Sequence, residues 1–179
     1  MRLSKFGEHD GALSVYVAPK FVPSSHFLAS AQEGGNAVAV HSANLGITSY
    51  AGPGAGRFPT ANSVVADICR IAAGGVQRDP FPLSSDIEVD GDFTAPFYIR
   101  ISFQDGIGII RMIGEIAECH RISIDSIIQN PIKNRIMADF VVVTEECKHS
   151  QVQAFCIDVE KQEFVLSEPL CMPLLIETP

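Results

Sequence analysis

The stretch "FYIRISFQDGIGIIRMIGEIAECHRISIDSIIQ", from Phe97 to Gln129, decides the fold of the second half of the chain. Its beginning, "FYIRISFQ", alternates apolar and polar residues, which predicts a strand with one buried face. Apolar residues then recur at helical spacing, and they predict one buried helix face: Ile109, Ile113, Ile116 and Ala117. "ISIDSIIQ" reads as a second strand, so the stretch predicts strand, helix and strand in succession.

The residues that follow complete this pattern. "RIMADFVVVT" (Arg135 to Thr144) predicts a strand, and Val152, Phe155, Cys156 and Val159 give a second helix face. "LCMPLLIE" (Leu170 to Glu177) suits an edge strand, where Pro173 is tolerated. The order βαββαβ predicts an α+β fold of the ferredoxin-like type over residues 97–179, with an antiparallel sheet covered by two helices on one face.

The first part of the chain, residues 1–75, reads differently. Strands are expected at Leu13 to Ala18, Asn36 to His41 and Gly46 to Tyr50. The glycine-rich "AGPGAG" then leads into a helix whose apolar positions lie on one face: Val64, Val65, Ile68, Ile71 and Ala72. Residues 76–96 are rich in proline and acidic residues, and we expect them to form a solvated linker between two domains.

Composition excludes several classes of function. The net charge of −8, from 13 basic and 21 acidic residues, disfavours nucleic acid and anionic membranes as partners. No apolar run approaches the ~20 residues that cross a bilayer, and the N-terminus lacks a secretory signal, so we expect a soluble cytoplasmic protein. The 5 cysteines contain no CxxC pair and the 5 histidines no HExxH spacing, so no metal site is predicted.

Two separate stretches resemble parts of one enzyme family. "NAVAV…GITSYAGPGAGRFPTANSVVADI" resembles the end of the catalytic region of homoserine dehydrogenase, and the Phe97 to Gln129 stretch resembles an ACT domain. The ACT domain is the amino-acid-sensing module at the C-terminus of bacterial-type homoserine dehydrogenases. The resemblance implies three parts: the C-terminal part of the catalytic domain at 1–75, a linker at 76–96, and an ACT regulatory domain at 97–179.

The resemblance assigns the glycine loop to a cofactor. In the family the last glycine of G-x-G-A-G lies close to the nicotinamide cofactor, NADP or NAD, and that position is Gly56 here. Gly54 and Thr60 are further candidates for cofactor binding. Glycine permits close approach of the backbone, and a helix start offers free N–H groups to an anion. The alternative is that the glycines only make the turn between strand and helix.

In the second half the resemblance implies an effector site. The family's D-x-P-G loop is replaced here by Asp105, Gly106, Ile107 and Gly108, and the positions that correspond to ligand contacts are Gly108, Ile109 and Gln129. The implied effector is an amino acid such as threonine, whose carboxylate a helix N-terminus stabilises. The alternative is an ACT domain that binds no ligand and serves dimerisation, with Asp105 capping the helix. A homodimer through the ACT domain is expected in either case.

The departures from the family bear on activity. No G-x-G-x-x-G loop of a Rossmann domain is found, and the family's catalytic lysine and substrate-binding acidic residues lie upstream of the matching segment. Lys5 and Lys20 stand in other surroundings, so we predict no catalytic residue in this chain and no turnover of homoserine by it alone.

Three hypotheses follow. The first is the C-terminal portion of an NAD(P)-dependent homoserine dehydrogenase, an oxidoreductase that interconverts aspartate semialdehyde and homoserine in threonine, methionine and isoleucine biosynthesis. The second is a free-standing amino-acid sensor of the ACT type. The third is an inactive ACT dimer with a poorly ordered N-terminal third.

Overall fold

The computed structural model describes residues 2–6, 12–75, 88–132 and 134–176. The chain divides into two units. The small unit is Val22–Ser85, and the large unit combines Met1–Phe21 with Asp86–Pro179. No helix in the described ranges is long and apolar enough to cross a membrane.

The small unit is a hairpin followed by a helix. Strands β3 (Gly35–Ser42) and β4 (Gly46–Pro53) pair antiparallel over their whole length, after a short 3-10 turn at Phe27–Ser30. Helix α1 (Arg57–Ala72) follows the glycine loop, as its spacing predicts.

The apolar stripe of α1 is exposed within this unit. The side chains of Val64, Val65 and Ile68 are 54%, 57% and 60% exposed, and none of the helix residues is buried. Water therefore meets an apolar surface where an amphipathic helix ordinarily packs against a partner.

The large unit holds a four-stranded sheet with the core of the protein on one face. Strands β7 (Phe97–Phe103), β8 (Ile124–Gln129), β9 (Ala138–Thr144) and β11 (Leu170–Pro173) lie in the order β11-β7-β9-β8, and each neighbouring pair is antiparallel. The expected alternation of β7 is seen directly in burial: Phe97, Ile99, Ile101 and Phe103 are buried, whereas Arg100 is exposed.

Two helices pack against this core. Helix α2 (Ile109–Cys119) buries Ile109, Ile113 and Ala117, and helix α3 (His149–Glu160) buries a face of its own: Val152, Phe155 and Val159. Ile116 and Cys156, which the spacing also places on these faces, are only half-buried. Each fully buried aliphatic or aromatic side chain stabilises the fold by about 1.5–3 kcal/mol relative to exposure. The observed class is therefore mixed α and β with small sheets, as expected.

The structure differs from the expected linker at its C-terminal end. Phe93 and Ala95 are 6% and 3% exposed, and the Phe93 ring stacks on Tyr16 with ring centroids 3.5 Å apart and on His149 at 4.9 Å. An aromatic side chain in reach of a core is buried even in a polar, proline-rich context, because its apolar area outweighs that context. The part of the linker at residues 76–87 lies outside the described residues.

The first strands also belong to the large unit, not to the small one as expected for residues 1–75. Strand β2 (Ala12–Tyr16) pairs antiparallel with β1 (Arg2–Phe6) and parallel with β5 (Glu88–Asp90). Two further short strands, β6 (Thr94–Ala95) and β10 (Cys147–Lys148), pair just before α3.

A carboxylate from this region caps helix α3. The Asp92 side chain accepts hydrogen bonds from the backbone N–H and the hydroxyl of Ser150, both at 2.8 Å, and the Lys148 ammonium lies 3.9 Å away. Partial burial opposes ionisation of Asp92, but the two hydrogen bonds from Ser150 and the nearby Lys148 outweigh it, so its pKa is lowered. The carboxylate is therefore held in its charged form.

Asp92 should make the stability of the large unit sensitive to acid. A lowered pKa in the folded state contributes stability that is present above the unfolded pKa of about 3.9 and is lost as pH falls through the folded pKa. We expect Asp92→Asn, which keeps a side-chain acceptor but removes the charge, to lower the unfolding free energy by about 0.3–1 kcal/mol at neutral pH, as the loss of a negative charge at a helix N-terminus does, and by little in strong acid. Unfolding free energies measured between neutral and acidic pH test this. The exposed Asp125→Asn is the matched control, and parallel curves for Asp92→Asn and the unmodified chain would contradict the prediction.

Candidate functional site

The glycine loop places its three predicted residues at the junction of β4 and α1. Gly56 immediately precedes α1 with φ 120° and ψ 161°, a conformation that is essentially limited to glycine. Thr60 lies one turn into the helix and donates its backbone N–H to the Gly56 carbonyl at 3.2 Å. Gly54, Gly56 and Thr60 are all exposed.

Gly54 is needed for a close approach within the hairpin. Its N–H donates to the Gly34 carbonyl at 2.9 Å, and a Cβ added at Gly54 would lie 1.9 Å from the Asn36 amide nitrogen. A larger residue would push the Asn36 side chain away. The fold alone therefore explains glycine at 54 and 56, and this geometry also leaves the loop backbone open to a ligand.

The first turn of α1 can receive an anion. Among the described residues no side chain caps this helix, and the N–H groups of its first turn, at Arg57 and Phe58, have no partner within the helix. The Arg57 guanidinium lies 4.7 Å from the centre of the Phe58 ring and adds positive charge at the same end. Free N–H groups, the helix dipole and a cation together favour phosphate or carboxylate.

The second predicted site is a cavity of about 140 Å³ at the start of α2. The structure brings together in its wall Gly108 and Ile109, from the helix start, and Gln129, from the end of β8. The other lining residues come from the same loop, the same helix and the end of β7: Phe103, Asp105, Gly106, Ile110 and Arg111. This volume lies below the roughly 300–1,000 Å³ of sites for drug-sized ligands, so the cavity suits a small metabolite.

Asp105 is the acidic group of this cavity. Its carboxylate lies 3.7 Å from the guanidinium of Arg135, and its backbone N–H donates to the Arg135 carbonyl at 2.8 Å. The alternative that Asp105 caps α2 is wrong: the helix cap falls at Gly108, and in the described part of the chain no side chain bonds to it. Because the cap lies further along the loop, the Asp105 carboxylate remains beside the cavity.

The cavity combines groups of both charges. Asp105 can accept from an ammonium group, and the start of α2 presents N–H groups to a carboxylate. Arg111 supplies a further positive charge, although its guanidinium also bonds Glu115 at 2.6 Å. The Gln129 amide can both donate and accept. This set matches a zwitterion of amino-acid size.

Sequence reasoning did not assign five of the lining residues to this site. Asp105 and Gly106 belong to the same loop as Gly108, so their position in the sequence could have predicted that they line the cavity. Arg111 stands one helical turn after Gly108, which places it near the same end of α2. Phe103 carries no such signal, because its pattern predicts a core residue.

Known proteins similar to this chain were found by sequence. The family model described as "Homoserine dehydrogenase" matches residues 2–69. A homoserine dehydrogenase of Bacillus subtilis is 32% identical over 152 residues, which is 80% of this chain and 35% of that protein. A homoserine dehydrogenase of Neisseria gonorrhoeae is 28% identical over 89% of this chain and 39% of its own length. The chain thus spans little more than a third of the relatives it matches.

Solved structures give the same likeness. The crystal structure of a homoserine dehydrogenase from Thiobacillus denitrificans superimposes with a TM-score of 0.74 at 26% identity, covering 92% of this chain and 39% of that one. The homoserine dehydrogenase of S. aureus shares the fold at a TM-score of 0.56 and 20% identity, over 89% of this chain and 37% of its own.

Proposed function

This chain belongs to the homoserine dehydrogenase family, and from that premise we propose that it supplies the C-terminal portion of an NAD(P)-dependent enzyme interconverting aspartate semialdehyde and homoserine. The observation that carries the proposal is the similarity along nearly the whole chain, with the family model on residues 2–69 and relatives matching 80–89% of the length. The glycine loop lies inside the matched segment.

The glycine loop fits a role at the edge of a cofactor site. Gly54 and Gly56 keep the backbone free of side chains, and the uncapped start of α1 can accept a negative group. A bound nicotinamide cofactor would supply the hydride for the reaction. Within this chain, Gly56, Gly54 and Thr60 would then shape the wall against which the cofactor lies, while other parts of the enzyme hold most of it.

The apolar stripe of α1 supports assembly with another part of the enzyme. Val64, Val65 and Ile68 are more than half exposed, and the chain corresponds to 35% of the Bacillus subtilis relative. A cofactor-binding and catalytic portion that packs on this stripe would bury its apolar surface. Burial of apolar surface stabilises an assembly by about 25 cal/mol per Å². We propose that turnover requires this partner portion and that the chain alone does not reduce the semialdehyde.

Reconstitution tests this function. The chain is mixed with a separately prepared cofactor-binding and catalytic portion of the Bacillus subtilis relative, and semialdehyde-dependent oxidation of NADPH and of NADH is followed. We expect turnover only in the mixture. Ile68→Asp, on the apolar stripe, should abolish it, while Asn62→Asp, at an exposed position off the stripe, should retain it. An inactive mixture at every ratio, with both parts folded, would count against the proposal.

The large unit supports a second role, as an amino-acid-sensing ACT module. The four-stranded sheet and its two helices follow one another as β7, α2, β8, β9, α3 and β11, and the strand order β11-β7-β9-β8 supports a ferredoxin-like arrangement. The cavity between the start of α2 and the end of β8 offers the charges that a zwitterion requires. We propose threonine as the effector. Calorimetric titration should give saturable binding, whereas a folded chain that yields no heat at millimolar threonine would contradict it.

A homodimer through the large unit is part of the same proposal. Strand β8 is an edge of the sheet, and apolar side chains near it and near the cavity are exposed: Ile107, Ile128, Ile136 and Met137. An open edge flanked by apolar residues favours pairing with a second copy. Sedimentation equilibrium should give the mass of a dimer for the chain and of a monomer for Ile128→Lys.

A further inference from the structure

Arg135 joins two loops beside the cavity of the large unit. Its backbone carbonyl accepts the N–H of Asp105 at 2.8 Å, and its guanidinium lies 3.7 Å from the Asp105 carboxylate. Asp105 belongs to the loop between β7 and α2, and Arg135 belongs to the connection between β8 and β9. Arg135 therefore meets Asp105 through both its main chain and its side chain.

The main chain around Arg135 is held in place. The N–H of Ile136 donates to the side-chain oxygen of Asn134 at 3.0 Å, which fixes the turn around Arg135. An ion pair between two freely moving surface side chains contributes little, but here the hydrogen bond between the backbones keeps the two residues adjacent. The Arg135 side chain is 87% exposed, so its guanidinium lies in solvent beside the more buried Asp105, which is 22% exposed.

Arg135 is not one of the residues that line the cavity, whereas Asp105 is. The influence of Arg135 on a ligand is therefore electrostatic, and it is exerted beside the carboxylate that can receive the ligand's ammonium group. At a separation of about 4 Å in water, one unit charge changes the affinity for another about fivefold.

Arg135 decides the sign of the charge balance at the cavity. Asp105 carries one negative charge, and the start of α2, which no described side chain caps, carries about half a positive charge. Arg111 and Glu115 form an ion pair at 2.6 Å and offset each other. Without Arg135 the balance is therefore negative, and with Arg135 it is positive.

We propose that Arg135 is the specificity-determining residue of this cavity and that it makes the cavity select amino acids over simple amines. The inference rests on the amino-acid effector proposed above. A zwitterion presents its ammonium to Asp105 and its carboxylate to the start of α2, so Arg135 repels one of its charges and attracts the other. An amine has no carboxylate and meets only the repulsion. Arg135 thus penalises amines and leaves the affinity for amino acids nearly unchanged.

Calorimetric titration with three ligands tests this selectivity. The ligands are threonine, isopropanolamine, which is threonine without its carboxylate, and β-hydroxybutyrate, which is threonine without its ammonium. In Arg135→Gln we expect the Kd of isopropanolamine to fall about fivefold and that of β-hydroxybutyrate to rise by a similar or smaller factor. The Kd of threonine should stay within about twofold of its value for the unmodified chain, because the two effects oppose each other. Added salt should reduce the shifts, since the Arg135 side chain is exposed.

Two variants separate the charge from its structural surroundings. Arg135→Lys keeps the positive charge and should restore the selectivity of the unmodified chain. Arg100→Gln removes the same charge from an exposed position on β7 that does not line the cavity, and it should leave all three Kd values unchanged. A loosened loop would weaken all three ligands together, whereas loss of the charge moves the amine and the carboxylate in opposite directions.

The selectivity is overturned if threonine binds the unmodified chain and Arg135→Gln binds all three ligands as that chain does. A shift of the amine and the carboxylate in the same direction would overturn it as well. A folded unmodified chain that binds no threonine would contradict the effector role itself, and this inference would fall with it.

Discussion

Phe140→Ala is expected to lower the unfolding free energy of the large unit by about 3–5 kcal/mol, the usual cost of removing a core aromatic ring. Phe140, on strand β9, is 1% exposed, and its ring meets the Phe103 ring edge-on with centroids 5.0 Å apart. Since domains are stable by about 5–15 kcal/mol, this change should remove a large share of the stability of the unit. Urea denaturation, with hydrogen exchange read out in β7 and β9, measures the loss.

The control is a phenylalanine that the structure leaves in water. Phe58 is 73% exposed in the small unit, so Phe58→Ala should change stability by no more than about 0.5 kcal/mol. Phe140→Leu should fall between these two, because it keeps part of the buried volume. Similar losses for Phe140→Ala and Phe58→Ala would contradict the assignment of the core to this sheet face.

Asp105→Ala is expected to weaken threonine binding at least about tenfold. A hydrogen bond to a charged group contributes about 1.5–3 kcal/mol, and about 1.4 kcal/mol corresponds to a factor of ten in Kd. Asp105 is the carboxylate of the cavity, with its side chain 22% exposed. Its neighbour Arg135 is 87% exposed, so losing the ion pair should cost the fold little. Calorimetric titration of the variant measures the change.

The control is another aspartate of the same sheet. Asp125 lies on β8, is exposed and does not line the cavity, so Asp125→Ala should bind threonine as the unmodified chain does. Asp105→Asn keeps the shape and removes the charge, and it should also bind weakly. If the unmodified chain binds threonine and Asp105→Ala binds it equally well, the ligand lies elsewhere.

Local pattern was sufficient for the sheet and helices of the large unit. The alternation in "FYIRISF" predicts one buried face, and the structure buries Phe97, Ile99, Ile101 and Phe103. Helix α2 follows its spacing because one face of a short helix has to pack on that sheet. Gly108, Ile109 and Gln129 line one cavity because β7, α2 and β8 are consecutive elements. This proximity can be predicted from the order of the elements in the sequence.

Pairing between segments far apart in the chain could not be predicted from the sequence. The parallel pairing of β2 with β5 joins short segments that are far apart in the chain, and neither has a periodicity that identifies its partner. Phe93 stands among acidic residues and prolines, so its burial depends on Tyr16 and His149, which only the folded chain brings to it. The same holds for Asp92, whose cap on α3 acts across 58 positions in the chain.

The glycine loop shows a further limit. The spacing of Gly52, Gly54 and Gly56 gives no reason to rank them, yet a Cβ would meet nothing at Gly52 and the Asn36 side chain at Gly54. Gly56 alone among them has a positive φ. Which glycine is required thus depends on a neighbour from β3 and on the entry into α1, and neither can be read from the loop itself.

The most direct test joins both proposed roles in one rate measurement. The N-terminal portion of the Bacillus subtilis relative is fused to this chain at the start of their matching region, and semialdehyde-dependent NAD(P)H oxidation is recorded as threonine is added. We expect turnover that declines with threonine and becomes resistant to it in Asp105→Ala. A folded fusion protein without turnover would contradict the proposal that this chain completes the enzyme. Turnover that threonine leaves unchanged would contradict the proposal that the cavity controls the enzyme.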